Sequence, residues 1–303
     1  MSKSKNYKSL RTVALTLLIV LLLILNQYGS TKDKKTSTTS LPSGIIEVHF
    51  IDAGQGNSIL IETMDCAMLI DADEGDKGMA IVNYLHSQNI EKLDYLVGTH
   101  PRSDHIGGLD EVLESFPVDR VLLPENANNT ASLEEVLSTL DKKNLSITKP
   151  EPGTKYKLGD ATFTILAPDK VYQDLNNNSL VLKLNFGKTS FLFTGDAEEQ
   201  SEKDMLAKGY DLTADVLKIG HYGYAKNTSQ TFLEAVAPAY AVISAGSGNK
   251  EDNPEEEILQ RIKERSIKLY RTDLQGTVVF TSNGKNISVD TKDYALADTD
   301  LQD

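Results

Sequence analysis

The chain has 303 residues, 40% of them hydrophobic and 25% charged, the make-up of an ordinary globular protein with one large domain or two small ones. Its single cysteine, Cys66, excludes a disulfide framework and a cysteine-rich zinc site, so any metal must be held mainly by histidine and carboxylate. The net charge of −13 hides a basic N-terminus: residues 44–303 carry 24 Lys and Arg against 43 acids, a net of −19, which opposes tight non-specific binding of nucleic acid.

In chain order, a basic stretch over residues 1–11 precedes 14 uncharged residues, Thr12 to Leu25. This pattern reads as a signal peptide or membrane anchor over residues 1–30, with the body secreted or anchored on the extracytoplasmic side. A polar linker rich in Ser, Thr and Lys follows over residues 31–43. From Ile45 short apolar runs alternate with turn residues. They predict strands at Ile45–Ile51, Ser58–Glu62, Ala67–Ile70, Leu93–Thr99, Arg120–Leu123, Thr162–Leu166, Leu180–Phe186, Ser190–Thr194, Val216–Ile219, Tyr240–Ser244, Lys268–Tyr270 and Gly276–Phe280. Helices are predicted at Gly78–Gln88, Gly108–Phe116, Leu133–Lys142, Glu198–Lys208, Gln230–Ala235 and Pro254–Glu264, the last with Asn253 as N-cap and Pro254 at its first position. The order implies an α/β domain with two sheets over residues 44–291, then an acidic tail over 292–303.

The chemistry concentrates at the ends of these strands. His100, Asp104 and His105 fall within six residues directly after one strand, a spacing able to aim two imidazoles and a carboxylate at a divalent metal. Asp196 closes Phe193-Thr194-Gly195-Asp196, as a metal carboxylate, as the cap of the helix over 198–208 or as both, and His221 follows another strand in Leu217-Lys218-Ile219-Gly220-His221. Asp52, before the Gly54-Gln55-Gly56 turn, and Asp71, at the end of Leu69-Ile70-Asp71, could orient a ligating histidine from behind. The polar loop Asp174 to Ser179, with Asn177 and Asn178, reads by itself as a turn. His49 and His86 read as packing or surface residues.

Taken together, these motifs resemble the metallo-β-lactamase superfamily, and more closely the hydrolase domain of ComEC-type competence proteins and their free-standing relatives. The resemblance runs over about residues 45–290 and adds Arg271-Thr272-Asp273 to the motifs above. It implies a four-layer αβ/βα sandwich with a di-metal site at one edge. On it, His100 would serve the first metal, Asp104, His105 and His221 the second, and Asp196 would bridge them. Three positions depart from the family pattern: Arg102 stands where a ligating histidine is usual, Asn57 where relatives often carry an acid, and Asn253-Pro254 where many have His-Pro. A guanidinium has no lone pair to give a metal, so the first site is short of donors even with Asn177 or Asn178 as weak ones. One divalent ion, Zn²⁺ or Mn²⁺, is expected in preference to two.

The function expected is a metal-dependent hydrolase that activates water on its metal and attacks a phosphodiester, in a nucleic acid or a phosphorylated cell-surface polymer. Asp104 would orient the reacting water or relay its proton, and Arg102 would clamp an anionic oxygen. Asp52, Asp71, Asn178 and Asn253 would support ligands or substrate. The alternative is a degenerate, non-catalytic binding module of the same fold, with Arg102 filling the first metal position.

Overall fold

The computed structural model describes residues 41–54, 56–73, 77–124, 130–246 and 253–291. The apolar N-terminal segment, most of the linker and the acidic tail lie outside the described residues. Among the described residues, no helix is long and apolar enough to cross a membrane.

Two sheets face each other. The first contains β1 (Ile46–Phe50), β2 (Ile59–Thr63), β3 (Ala67–Ile70), β4 (Leu93–Val97), β5 (Val118–Leu122) and the two-residue β6 (Ile147–Thr148). The second contains β7 (Lys155–Leu158), β8 (Ala161–Ala167), β9 (Val181–Phe186), β10 (Thr189–Phe193), β11 (Val216–Lys218), β12 (Tyr240–Ile243) and β13 (Lys268–Arg271). The chain then returns to the first sheet as β14 (Val278–Ser282) and β15 (Ile287–Val289). The orders are β15-β14-β1-β2-β3-β4-β5-β6 and β13-β12-β11-β10-β9-β8-β7.

Alternation of side chains along each strand builds the layers. Ile46, Val48 and Phe50 of β1 point inward with Phe163, Leu182, Phe191, Phe193 and Phe280 to fill the space between the sheets. The opposite parity, Leu60, Leu69 and Leu96, faces outward against α1 (Gly78–Ser87), α3 (Leu109–Ser115) and α4 (Ala131–Lys143). On the far side Val181, Leu192 and Leu217 pack against α5 (Glu199–Ala207), α6 (Gln230–Val236) and α7 (Glu256–Glu264). The short α2 (Ser103–Ile106) and α8 (Thr272–Gln275) sit at strand ends. The result is the expected four-layer αβ/βα sandwich.

One edge of the sandwich collects the loops that matter. Strands β3 to β6 run parallel, as do β10 to β13, so their C-terminal ends share an edge in each sheet. β9 runs antiparallel to β10 and therefore starts where β10 ends. The two edges are tied by Leu180 N–H, which donates to Thr99 O at 2.9 Å.

Three strands exceed those predicted: β6 is too short to show a period, and β7 and β15 lie at sheet edges with partly exposed faces. The predicted start of the last large helix needs correction. Glu255, not Asn253, precedes α7, whose first residue is Glu256. Glu255 is held outside the helix because its N–H donates to Gly223 O at 3.0 Å and its carboxylate accepts from Ala225 N–H at 3.1 Å. Asn253-Pro254 thus braces the loop after β11; a Cβ on Gly223 would come within 2.6 Å of Pro254 Cβ.

Candidate metal centre

Asp71, directly after β3, has φ of 60°. Its carboxylate accepts Thr99 N–H at 2.7 Å, Thr99 Oγ1–H at 2.6 Å and His105 Nδ1–H at 2.8 Å. With Nδ1 so engaged, the ring of His105, on α2, presents Nε2 to Asp196 Oδ2 at 3.1 Å. Asp196 reaches this point through Gly195, whose φ is +53° and where a Cβ would sit 3.1 Å from Ser179 Cβ and 3.2 Å from Thr99 Cβ. Glycine alone meets both conditions without strain. Asp196 N–H donates to Ser179 Oγ at 3.1 Å, and Asn227 Nδ2 donates to Asp196 O at 2.8 Å.

His100 completes a triad: one ligand atom from each of His100, His105 and Asp196 lies within 4.8 Å of the others, and all three residues are buried. His100 Nε2 and Asp196 Oδ1 have no hydrogen-bond partner although both are buried. Buried lone pairs left unpaired in this way are what a divalent cation would satisfy, and two imidazoles with a carboxylate suit one chemically. His221 Nε2 stands 3.7 Å from Asp196 Oδ2, close enough to be a fourth donor to the same ion.

The electrostatics agree. Burial, aided by the charge on His105, pulls His100 down to about 4, and burial also lowers His221, so both offer neutral nitrogen at pH 7. For His105 burial acts downward too, but Asp196 and Asp71 outweigh it and raise it well above its ordinary value. Asp196, despite burial, is held far below the carboxylate range by His105. In the protein alone, the His105 proton supplies positive charge where a cation would otherwise supply it.

A second cluster adjoins the first. Arg102 Nε lies 3.1 Å from Asp104 Oδ1, and Tyr222 Oη donates to Asp104 Oδ2 at 2.6 Å. The Arg102 side chain is 43% exposed, whereas that of Asp104 is 9%. His221 and Tyr222 have φ of 44° and 54°, a backbone strained for these side chains and held by Gly195 O accepting His221 N–H at 3.2 Å.

Comparison with known proteins agrees with this geometry. The family model described as the metallo-beta-lactamase superfamily matches residues 51–247. The chain belongs to the metallo-β-lactamase superfamily. The "ComE operon protein 3" of Bacillus subtilis is 30% identical over 77% of this chain and 33% of that protein. The "Competence protein ComA" of Neisseria gonorrhoeae is 31% identical over 80% of this chain and 33% of its own length. This chain therefore spans about a third of the curated relatives it matches. In fold it is similar to the metallo-beta-lactamase fold protein YhfI of Bacillus subtilis, with a TM-score of 0.56 and 12% identity over 78% of this chain and 100% of that one. The superfamily consists generally of metal-dependent hydrolases that use divalent ions.

Within that superfamily frame, the structure divides the expected ligands differently from the resemblance. His100 joins His105 and Asp196 in one group, while Asp104 spends both oxygens on Arg102 and Tyr222. Asp52 stands apart: it is exposed, its N–H donates to Thr277 Oγ1 at 3.0 Å, and Asp71 occupies the position behind His105. Asn178 is buried and turned to its own loop, accepting Tyr172 N–H and donating to the carbonyls of Tyr172 and Asp174. Asn177 accepts Ser201 N–H at 2.9 Å near the start of α5. Asn253 is buried in the brace of the His221 loop.

Two residues here escaped the sequence reading. Tyr222 follows His221 directly in the sequence and carries no local signal of its contact with Asp104. Lys218 is fully buried with the inward parity of Val216, its Nζ 3.3 Å from Ile219 O; burial lowers its pKa while Asp196 and Asp71 oppose the fall. A lysine between Leu217 and Ile219 on the inward face of an apolar strand was the signal available.

Proposed function

We propose that this chain is a phosphodiesterase working with one divalent ion. The observation that carries this reading is the convergence of His100, His105 and Asp196, with unpaired buried lone pairs, beside the half-exposed guanidinium of Arg102. A bound Zn²⁺ or Mn²⁺ supplies Lewis acidity and lowers the pKa of coordinated water, toward about 7 in the best zinc sites. His100, His105 and Asp196 would hold it, with His221 nearest as fourth donor. Asp71 keeps the His105 proton on Nδ1 and leaves Nε2 as the donor nitrogen.

Arg102 sits on the solvent side, anchored to Asp104 through Nε, and its planar fork suits two oxygens of a phosphate. Asp104, gripped by Tyr222, thereby fixes the angle at which Arg102 meets that anion. The acidic body opposes long-range attraction of a polyanion, which favours local recognition of the anion at Arg102 and the bound ion. The N-terminal residues 1–30 would place this activity outside the cytoplasm, by secretion or anchoring.

One observation favours a non-catalytic binder instead: both oxygens of Asp104 are occupied by protein. A single experiment separates the readings. The full chain is analysed for bound metal and assayed on bis(p-nitrophenyl) phosphate beside His105→Ala and Arg102→His. Metal-dependent hydrolysis lost in His105→Ala is expected. Absence of metal, or hydrolysis indifferent to His105→Ala, sinks the enzyme, and a sharp rise of both metal and activity in Arg102→His marks the native site as disabled.

A further inference from the structure

A cavity of about 390 Å³ opens on the same edge of the sandwich as the metal centre, within the ~300–1,000 Å³ typical of small-molecule sites. Its walls come from the segments after β5 (Pro124), after β6 (Pro150 and Pro152) and after β8 (Pro168), and from the entry to β9 (Asn178 and Leu180). The last wall connects it to the centre. Ser179, between those two residues, accepts the N–H of Asp196, and Leu180 donates to Thr99 O, next to His100. We propose that this cavity is the subsite for the nucleoside part of a nucleotidyl phosphoester whose phosphate lies at Arg102 and the metal centre. The inference rests on the phosphodiesterase reading and names its substrate class.

The wall chemistry selects the class. Four proline rings give rigid apolar faces that need no ordering on binding, a surface on which a flat base can lie. The Asn178 side chain is consumed by Tyr172 and Asp174, so this wall stays fixed and has little with which to read a base edge. Recognition is then by shape and contact and tolerates different bases. Among the described residues no aromatic ring lines the cavity, so they supply no cage of the kind a choline-type cation requires.

The rim does not suit the phosphate itself. Lys170 pairs with Asp204 at 2.5 Å, and Asp169 with Lys208 at 3.0 Å. Lys149 and Glu151 add one charge of each sign. Charge-balanced at its rim, the cavity fits the uncharged end of the molecule. Val171 at its mouth is 64% exposed, an apolar side chain that would be covered by a bound nucleoside.

Val171→Glu tests this without disturbing the core. Binding of thymidine 5′-monophosphate and of inorganic phosphate to the metal-loaded full chain is measured by calorimetry. The variant should weaken the nucleotide by about tenfold, from a carboxylate set against an apolar face, and leave phosphate unchanged. With thymidine 5′-p-nitrophenyl phosphate, KM should rise by about the same factor at nearly constant kcat, and bis(p-nitrophenyl) phosphate should not distinguish the proteins. Equal affinity of nucleotide and phosphate for the native chain, or an unchanged nucleotide affinity in Val171→Glu, overturns the subsite. Hydrolysis without such discrimination overturns the subsite alone. Discriminating binding without hydrolysis of either ester keeps the subsite and removes the phosphodiesterase.

Discussion

On the outer face of the first sheet, His49 lies between Glu47 and Glu62, 3.4 and 3.5 Å from its Nε2, with Nδ1 2.7 Å from Tyr84 Oη. At the edge of the sandwich, His105 lies between Asp71 and Asp196 at 2.8 and 3.1 Å. Both histidines are buried between carboxylates, yet only the edge group brings a further imidazole within 4.8 Å of the same point among the described residues. The difference follows from where the side chains are mounted. Glu47 and Glu62 are opposed across the β1–β2 ladder, and the pleat fixes their separation. The edge residues come from the ends of β3, β4 and β10, where loops and a glycine with positive φ can turn donors toward one centre. Burial, charge pairing and unpartnered buried atoms occur in both places, His49 Nε2 and Glu62 Oε1 in one and His100 Nε2 and Asp196 Oδ1 in the other; two imidazoles and a carboxylate converge in one.

The largest expected effect tests that distinction directly. Asp196→Asn should reduce bound metal to background in elemental analysis of the desalted protein, and hydrolysis with it. Glu62→Gln, which alters an equally buried carboxylate, should retain both. Equal loss of metal in the two variants would break the comparison.

The sandwich was legible because its strands obey a period of two and its large helices a period of 3.6 over lengths that make either unambiguous. Phe191 and Phe193 inward with Leu192 outward is one such reading. The loop from His100 to His105 was legible because donors crowd in sequence. What stayed hidden depends on distances between remote segments. Tyr222 meets Asp104 from 118 residues away. Nothing local separates Asp52 from Asp71, two acids after apolar strands, until β3 is seen beside β4 with Asp71 against Thr99. Asn253-Pro254 carried a sound local helix-start signal, but the tertiary bonds of Glu255 to Gly223 and Ala225 moved that start.

The outer cluster should instead reveal itself in stability against pH. Burial raises Glu62 from 4.5 to about 7 and lowers His49 from 6.5 to about 4. Between roughly pH 4.5 and 6.5 the folded chain holds one extra proton on Glu62 and the unfolded chain one extra on His49, so their slopes cancel. From pH 6.5 to 7 the Glu62 contribution continues to fall; below 4.5 the His49 penalty grows. Glu62→Gln removes one partner of this balance. The variant should therefore gain stability as pH rises from 4 to 6.5, by on the order of 2 kcal/mol relative to the native trend. Urea unfolding of both proteins at pH 4.5, 6.5 and 8 reads the difference, and parallel profiles would show that Glu62 does not titrate in this range.

The smallest effects, at the two tyrosines, sharpen the comparison most. Tyr222 is buried and donates to Asp104 Oδ2, an oxygen of a side chain that is itself only 9% exposed. Tyr222→Phe leaves that oxygen without its donor where water has little access, at a cost of about 1–3 kcal/mol. Tyr84 is only partly buried and meets a ring that burial keeps neutral near pH 7. Tyr84→Phe should therefore cost only about 0.5–1.5 kcal/mol, the net value of an ordinary hydrogen bond. Unfolding is measured with chelator present, so that metal affinity does not enter either number. Adding back the metal should then widen the gap between the variants, because Asp104 also anchors Arg102 beside the centre and His221 shares the strained backbone of Tyr222. A gap unchanged by metal would mean that the Asp104 clamp and the histidine–carboxylate group are neighbours without being coupled.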